Sequence, residues 1–171
     1  MSHDDPSRLP ARPIRAAVLT VSDRCSRGDA ADTSGPALQE LLRVRLRAEI
    51  AAAACVPDEL DQIAAKFRQW SDPAQRIDLI LSTGGTGLSP RDVTPEAARS
   101  VFEREHNPLM ELARLRCLPA SPRTYLSRSV AGTRAGTLIL TLPGSPRGAV
   151  EYLDALADIL PHAIETLRGD A

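Results

Sequence analysis

The 171-residue chain is 43% hydrophobic and 25% charged, with a formal net charge of -1, the balance of an ordinary globular protein. Neither a positive field nor, with only 3% aromatic residues, a base-stacking platform marks it as a nucleic-acid binder. No apolar run approaches the ~20 residues that span a membrane, and the separated Cys25, Cys55 and Cys117 form no C-x-x-C motif or disulfide framework, so a reduced, cytoplasmic setting is expected.

Residues 1 to 13 are polar and proline-bearing and read as a disordered leader, with one domain from 14 to 171. Ile14 to Val21 is short, apolar and rich in β-formers, which predicts a buried strand ending at the polar Ser22-Asp23-Arg24. A Ser-, Gly- and Asp-rich loop leads to a helix capped by Ser34 or Gly35, with Leu38, Leu41, Leu42 and Leu46 inward. Ile50 to Val56 is a second strand, stopped by Pro57. Asp58 then has the position of an N-cap for a helix burying Leu60, Ile63, Ala64 and Phe67.

Asp78 to Ser82 is the third strand and opens into Thr83-Gly84-Gly85-Thr86-Gly87. A further cap falls at Thr94, with Pro95 at the first helical position. Two helices, 96 to 104 and 109 to 116, are separated at Asn107-Pro108, and an edge strand lies within 125 to 134. Thr137 to Leu142 is a clear strand. Ser145 and Pro146 then start a long helix with Val150, Leu153, Leu156 and Leu160 inward, which Pro161 kinks or restarts. Strands alternating with helices predict an α/β fold with a largely parallel sheet.

In such sheets ligands bind beyond the carboxyl ends of the strands. Four of these ends carry unusual loops: Ser22-Asp23, Pro57-Asp58, Thr83 to Asp92, and Pro143-Gly144-Ser145. Gly84, Gly85 and Gly87 permit positive φ and close approach of the backbone, and successive N–H groups in such a turn can cradle phosphate oxygens. Thr83, Thr86 and Ser89 add hydroxyls, and Arg91 adds a fixed charge. The run is neither a Walker loop nor G-x-G-x-x-G, and the same glycines also suit a plain tight connection.

Asp58 and Asp92 each follow a strand and precede a helix. Paired carboxylates beside phosphate suit Mg²⁺, although capping is the simpler role for Asp58. Ser145, a cap by position, also presents a helix N-terminus to an anion. His3, His106 and His162 lack metal-ligand spacing, and no serine or cysteine has a visible histidine partner for a triad.

The runs Leu19 to Arg24, Thr33-Ser34-Gly35, Leu81 to Gly87 and Arg91 to Glu96 resemble the molybdopterin adenylyltransferase family, as do Leu126-Ser127-Arg128, Leu142 to Ser145 and Leu160 to Ile164. The likeness covers about residues 14 to 168. It implies a three-layer α/β/α fold of the molybdopterin-binding type that forms homotrimers. It implies transfer of AMP from ATP to the terminal phosphate of molybdopterin with Mg²⁺, releasing pyrophosphate, and a downstream molybdate-insertion enzyme as partner. By the same resemblance Asp58 and Asp92 are catalytic and metal-binding, while Ser22, Asp23, the 83 to 87 run with Ser89 and Arg91, and Pro143 to Ser145 hold the substrates. Many relatives have glycine where this chain has Leu109. Two alternatives stay open: a non-catalytic molybdopterin-binding or assembly paralogue, and another nucleotide-processing enzyme of the same fold.

Overall fold

The computed structural model describes residues 12 to 170. In chain order the elements are β1 (Arg15–Val21), α1 (Asp23–Ser26), α2 (Ser34–Leu46), β2 (Glu49–Val56), α3 (Leu60–Trp70), β3 (Leu79–Thr83) and α4 (Thr94–Arg99). There follow β4 (Arg104–Glu105), α5 (Pro108–Cys117), β5 (Ala131–Arg134), β6 (Thr137–Leu142), α6 (Pro146–Leu156) and α7 (Leu160–Arg168), with 3-10 turns at Pro73–Gln75 and Pro122–Leu126. The expected leader lies outside the described residues except for Arg12 and Pro13. Their carbonyls accept hydrogen bonds from Arg168 at 3.0 and 2.9 Å, which ties both residues to α7.

The six strands form one sheet in the order β2-β1-β3-β6-β5-β4. The first four are mutually parallel, and β5 and β4 run antiparallel beyond β6. Alternation along the strands divides the core in two. Ala16, Val18, Leu79, Leu81, Leu138 and Leu140 face α2, α5, α6 and α7. Ala17, Leu19, Ile80 and Ile139 face α3 and α4. The three-layer α/β/α expectation therefore holds, with both faces of β1, β3 and β6 buried.

Several local expectations are corrected. The predicted 96 to 104 helix stops at Arg99, and Arg104–Glu105 is the edge strand, pairing with β5. The strand predicted within 125 to 134 is confined to Ala131–Arg134 and lies inside that edge. In α6 the inward face is Ala149, Tyr152, Leu153 and Leu156, because Val150 is only half-buried. Pro161 sits in the first turn of α7 and restarts the helix, as its fixed φ suits. Leu109, the second residue of α5, packs into the larger core cluster, 8% exposed.

Candidate active-site crevice

The chain moves outward from β1 to β2, then crosses back to β3 on the other side of β1. This reversal is a topological switch point, where ligand crevices form. Registers Val21↔Val56, Thr20↔Thr83 and Thr83↔Leu142 bring the four parallel strands to one common edge. The loops beginning at Ser22, Pro57, Gly84 and Pro143 therefore meet there, and all four predicted loops are neighbours.

Asp58 does not cap α3. The N-cap position is Glu59, with no side-chain cap hydrogen bond. Instead the Asp23 amide donates to Asp58 Oδ2 at 2.9 Å, and the Asp58 amide donates to Asp23 Oδ1 at 3.1 Å. Two loops 35 residues apart are thus clasped by reciprocal carboxylate–amide bonds. Arg91 reaches across with its Nη2 3.0 Å from Asp23 and from Glu59. Its expected free charge is therefore already engaged at the rim, in exposed ion pairs of small energetic weight. Burial pushes Asp58 above the usual carboxylate range. The Asp23 amide acts against that shift, and the Asp23 and Asp92 carboxylates add to it. For Asp23, burial is outweighed by the Asp58 amide and the Arg91 guanidinium, which hold it low.

Asp92 Oδ2 accepts from the Ser89 amide at 3.0 Å, closing the Ser89–Asp92 turn. Each of the two acids keeps its Oδ1 without a protein donor among the described residues. No cluster of three or more His, Cys, Asp or Glu that could cage a metal exists among those residues. A donor set of two carboxylates suits a cation that arrives with phosphate and water, as Mg²⁺ does, and not a resident structural metal.

The glycine run is shaped by its own protein. Gly84 and Gly85 have φ of +103° and +62°, and a Cβ on Gly84 would lie 2.1 Å from the Val21 carbonyl oxygen. A Cβ on Gly85 would meet Thr94 Oγ1 at 2.3 Å and Asp58 Oδ1 at 2.9 Å. Thr83 and Thr86 are buried. Thr83 donates to the Pro143 carbonyl at 2.7 Å, and Thr86 Oγ1 lies 3.0 Å from Ser127 Oγ. Both hydroxyls therefore brace the crevice from within, whereas Ser89 is exposed at the rim.

The carbonyls of this run are all taken. Gly84 O accepts from Thr94 Oγ1 at 2.9 Å and Gly85 O from the Thr94 amide at 3.0 Å. Thr86 O accepts from the Arg128 amide at 2.7 Å and Gly87 O from Arg128 Nε at 2.8 Å. In a trans peptide the N–H points opposite to the C=O of the same plane. The N–H groups of Gly85, Thr86, Gly87 and Leu88 therefore point away from these partners, and none donates to a protein acceptor among the described residues. Four such groups in sequence are the kind of donor set that can cradle an anion in a nest.

Ser22 and Ser145 both act as caps. Ser22 Oγ accepts from the Cys25 amide and Ser145 Oγ from the Gly148 amide, at 3.3 and 3.1 Å. Gly144 packs 3.1 Å from the Gly84 Cα, measured from its would-be Cβ. Beyond Pro143 and Ser145 the crevice continues into a cavity of about 350 Å³, lined by Arg123, Ser127, Arg147 and Tyr152 among others.

The sequence reading missed this cavity and two polar residues. Asp32 accepts from Thr20 Oγ1 at 2.6 Å and from the Gly35 amide at 2.9 Å, so it supplies the start of α2 with the bond expected of Ser34. Arg128 is the other. Its place in the Leu126-Ser127-Arg128 motif was its only signal, since its partners lie 32 to 41 residues away.

The family described as "Probable molybdopterin binding domain" matches residues 17–162. A protein named molybdopterin adenylyltransferase from Helicobacter pylori is 37% identical over 158 residues, covering 92% of this chain and 89% of that protein. The crystal structure of the molybdopterin biosynthesis enzyme MoaB from Thermus thermophilus superposes with a TM-score of 0.85 at 48% identity, covering 91% of this chain and 97% of that one. The molybdenum cofactor synthesis protein cinnamon of Drosophila melanogaster is 39% identical over 157 residues, and the chain spans only 26% of its length. With most of its length matched by fold, motif and sequence, this chain belongs to the molybdopterin-binding domain family of molybdenum cofactor biosynthesis.

Proposed function

We propose that this protein transfers the adenylyl group of ATP to the terminal phosphate of molybdopterin. The observation that carries this reading is the nest of four unused N–H groups beside the Asp58 carboxylate, whose proton affinity the neighbouring Asp92 charge helps to raise. Such a place suits a polyphosphate with its cation. The likeness to the Helicobacter pylori adenylyltransferase supports the choice of reaction. ATP phosphates occupy the 85 to 88 nest. The cavity beyond Pro143, with Arg123, Arg147 and the Tyr152 ring on its walls, suits a phosphorylated pterin.

A phosphate monoester with a second pKa of ~6 is largely dianionic at neutral pH and is its own nucleophile, so the lack of a triad is no obstacle. Its oxygen forms a bond to the α-phosphorus while the bond to the bridging α–β oxygen breaks, and pyrophosphate leaves with that electron pair. The protein aligns the two anions and offsets their charge through the nest N–H groups and the start of α6. Asp58 and Asp92, through their Oδ1 atoms, would hold Mg²⁺, which supplies Lewis-acid stabilisation of the phosphate oxygens. Asp23 holds Asp58 in place, and Thr83 and Thr86 hold the loops together.

The test is purified protein with molybdopterin, ATP and Mg²⁺, the product followed by mass spectrometry. Adenylylated molybdopterin and pyrophosphate in equal amounts support the reading. A second reading, binding of molybdopterin without turnover, draws on the matching family's description as a molybdopterin binding domain. It predicts molybdopterin affinity with no product. The homotrimer implied by the resemblance predicts a light-scattering mass of three 18.4 kDa chains.

A further inference from the structure

Arg128, of the Leu126-Ser127-Arg128 motif, has no part in the mechanism above, yet it grips the glycine loop. The loop from Gly84 to Val93 joins β3 to α4 without regular structure. Arg128 lies outside its neck and bonds both limbs. Its amide and Nε take the Thr86 and Gly87 carbonyls of the first limb at 2.7 and 2.8 Å. Its Nη2 takes the Asp92 carbonyl of the second limb, and its guanidinium pairs with Glu96 in the first turn of α4. Behind it, Arg114 of α5 donates to the Ser127 and Ser129 carbonyls at 3.1 and 2.6 Å, fixing the segment that carries Arg128.

We propose that Arg128 is a positioning residue that staples the two limbs of this loop and so aims the N–H groups of the nest at the nucleotide phosphates. The inference rests on the phosphate-binding reading given above. Removing the guanidinium frees the Gly87 carbonyl, and the Gly87–Leu88 peptide plane can then rotate. One nest donor is lost outright, and Asp92 loses the backbone contact that places its carboxylate. Glu96 is the anchor that holds the guanidinium in position against both carbonyls. Lysine at 128 retains the charge but presents no fork, so it can reach one limb at a time.

The test compares wild type, Arg128→Gln, Arg128→Lys and Glu96→Gln by amide hydrogen exchange and by calorimetric titration with inorganic pyrophosphate at fixed ionic strength. Arg128→Gln is expected to exchange at least tenfold faster at the hydrogen-bonded amides of Ser89, Asp92 and Thr94, with β1, β3 and β6 unchanged. It should bind pyrophosphate about ten- to a hundredfold more weakly, the scale of charge-assisted bonds lost. Arg128→Lys should fall between, and Glu96→Gln should loosen the loop by a smaller factor; these two carry the comparison if Arg128→Gln does not fold. In turnover, kcat should fall along with a rise in KM for ATP. A lower melting temperature with wild-type affinity and kcat in the folded fraction would make Arg128 merely structural and overturn the inference. Wild-type loop exchange and pyrophosphate affinity in the folded variants would overturn it too, leaving the phosphate site intact. Failure of wild type itself to bind pyrophosphate would remove the phosphate reading and the inference together.

Discussion

Alanine at Gly84 and at Gly28 should differ sharply in cost, although both glycines have positive φ, +103° and +80°. Gly28 has nothing within 4 Å of a would-be Cβ, so Gly28→Ala carries only the conformational cost of a left-handed L-residue, about 1–2 kcal/mol. At Gly84 the new carbon would lie 2.1 Å from the Val21 carbonyl oxygen, and that atom is backbone at the end of a central strand. It cannot turn aside as a side chain can. Relief requires the loop to move off β1, breaking the Thr94 hydroxyl bond to Gly84 O and leaving buried groups unpaired, at about 1–3 kcal/mol. With the backbone strain added, Gly84→Ala should cost about 2–5 kcal/mol, a large part of a typical 5–15 kcal/mol stability. Urea denaturation midpoints of both variants at constant m-value measure the difference. Equal losses would show that the loop relaxes freely and that its shape is not set by contact with β1.

Asp78 and Arg168 form an ion pair with side chains only 12% and 5% exposed, so Asp78→Asn should destabilise by about 3 kcal/mol at neutral pH. Burial opposes ionisation of Asp78, but the Arg168 bonds and the Arg15 amide outweigh it and hold its pKa low. A depressed pKa contributes stability that is present above the unfolded value of about 3.9 and lost as pH falls through the folded value. The gap between wild type and Asp78→Asn in urea titrations should therefore close below about pH 4; a gap constant down to about pH 2.5 would contradict the pairing. Tyr152→Phe removes a buried hydroxyl that bonds the Thr124 hydroxyl and carbonyl, each at 2.8 Å, and should cost about 1–3 kcal/mol in thermal or urea melts. Leu109→Gly should cost about 3–5 kcal/mol through lost core packing and helix entropy while turnover in the folded fraction stays unchanged.

Much of the scaffold is legible because its signals are local. The apolar runs ending at Val21, Ser82 and Leu142 announce β1, β3 and β6, and Pro95, Ser145 and Pro161 mark helix starts by rules that need no tertiary partner. The errors arise where a distant partner decides. Asp58 stands where a cap would stand, yet its carboxylate goes to the Asp23 amide, 35 residues earlier. Arg104 ends a helical pattern, but pairing with Thr133 makes it, beside Glu105 opposite Gly132, part of a strand. Thr83 and Thr86 look like ligand donors in a polar loop, and only the fold reveals that Pro143 O and Ser127 Oγ already hold them. The convergence of the four loops was expected from the α/β rule. The nest, by contrast, depends on which carbonyls Thr94 and Arg128 capture, and no sequence spacing encodes that.

The most direct test of adenylyl transfer through paired carboxylates is turnover of Asp58→Asn and Asp92→Asn across a Mg²⁺ titration, with melting curves taken on the same samples. Asparagine can keep the acceptor that each acid offers to the Asp23 and Ser89 amides. Both variants should therefore retain melting temperatures within a few degrees of wild type. They should form adenylylated molybdopterin at least a hundredfold more slowly and require more Mg²⁺ for half-maximal rate, while still binding molybdopterin. Wild-type turnover in either folded variant would contradict the account.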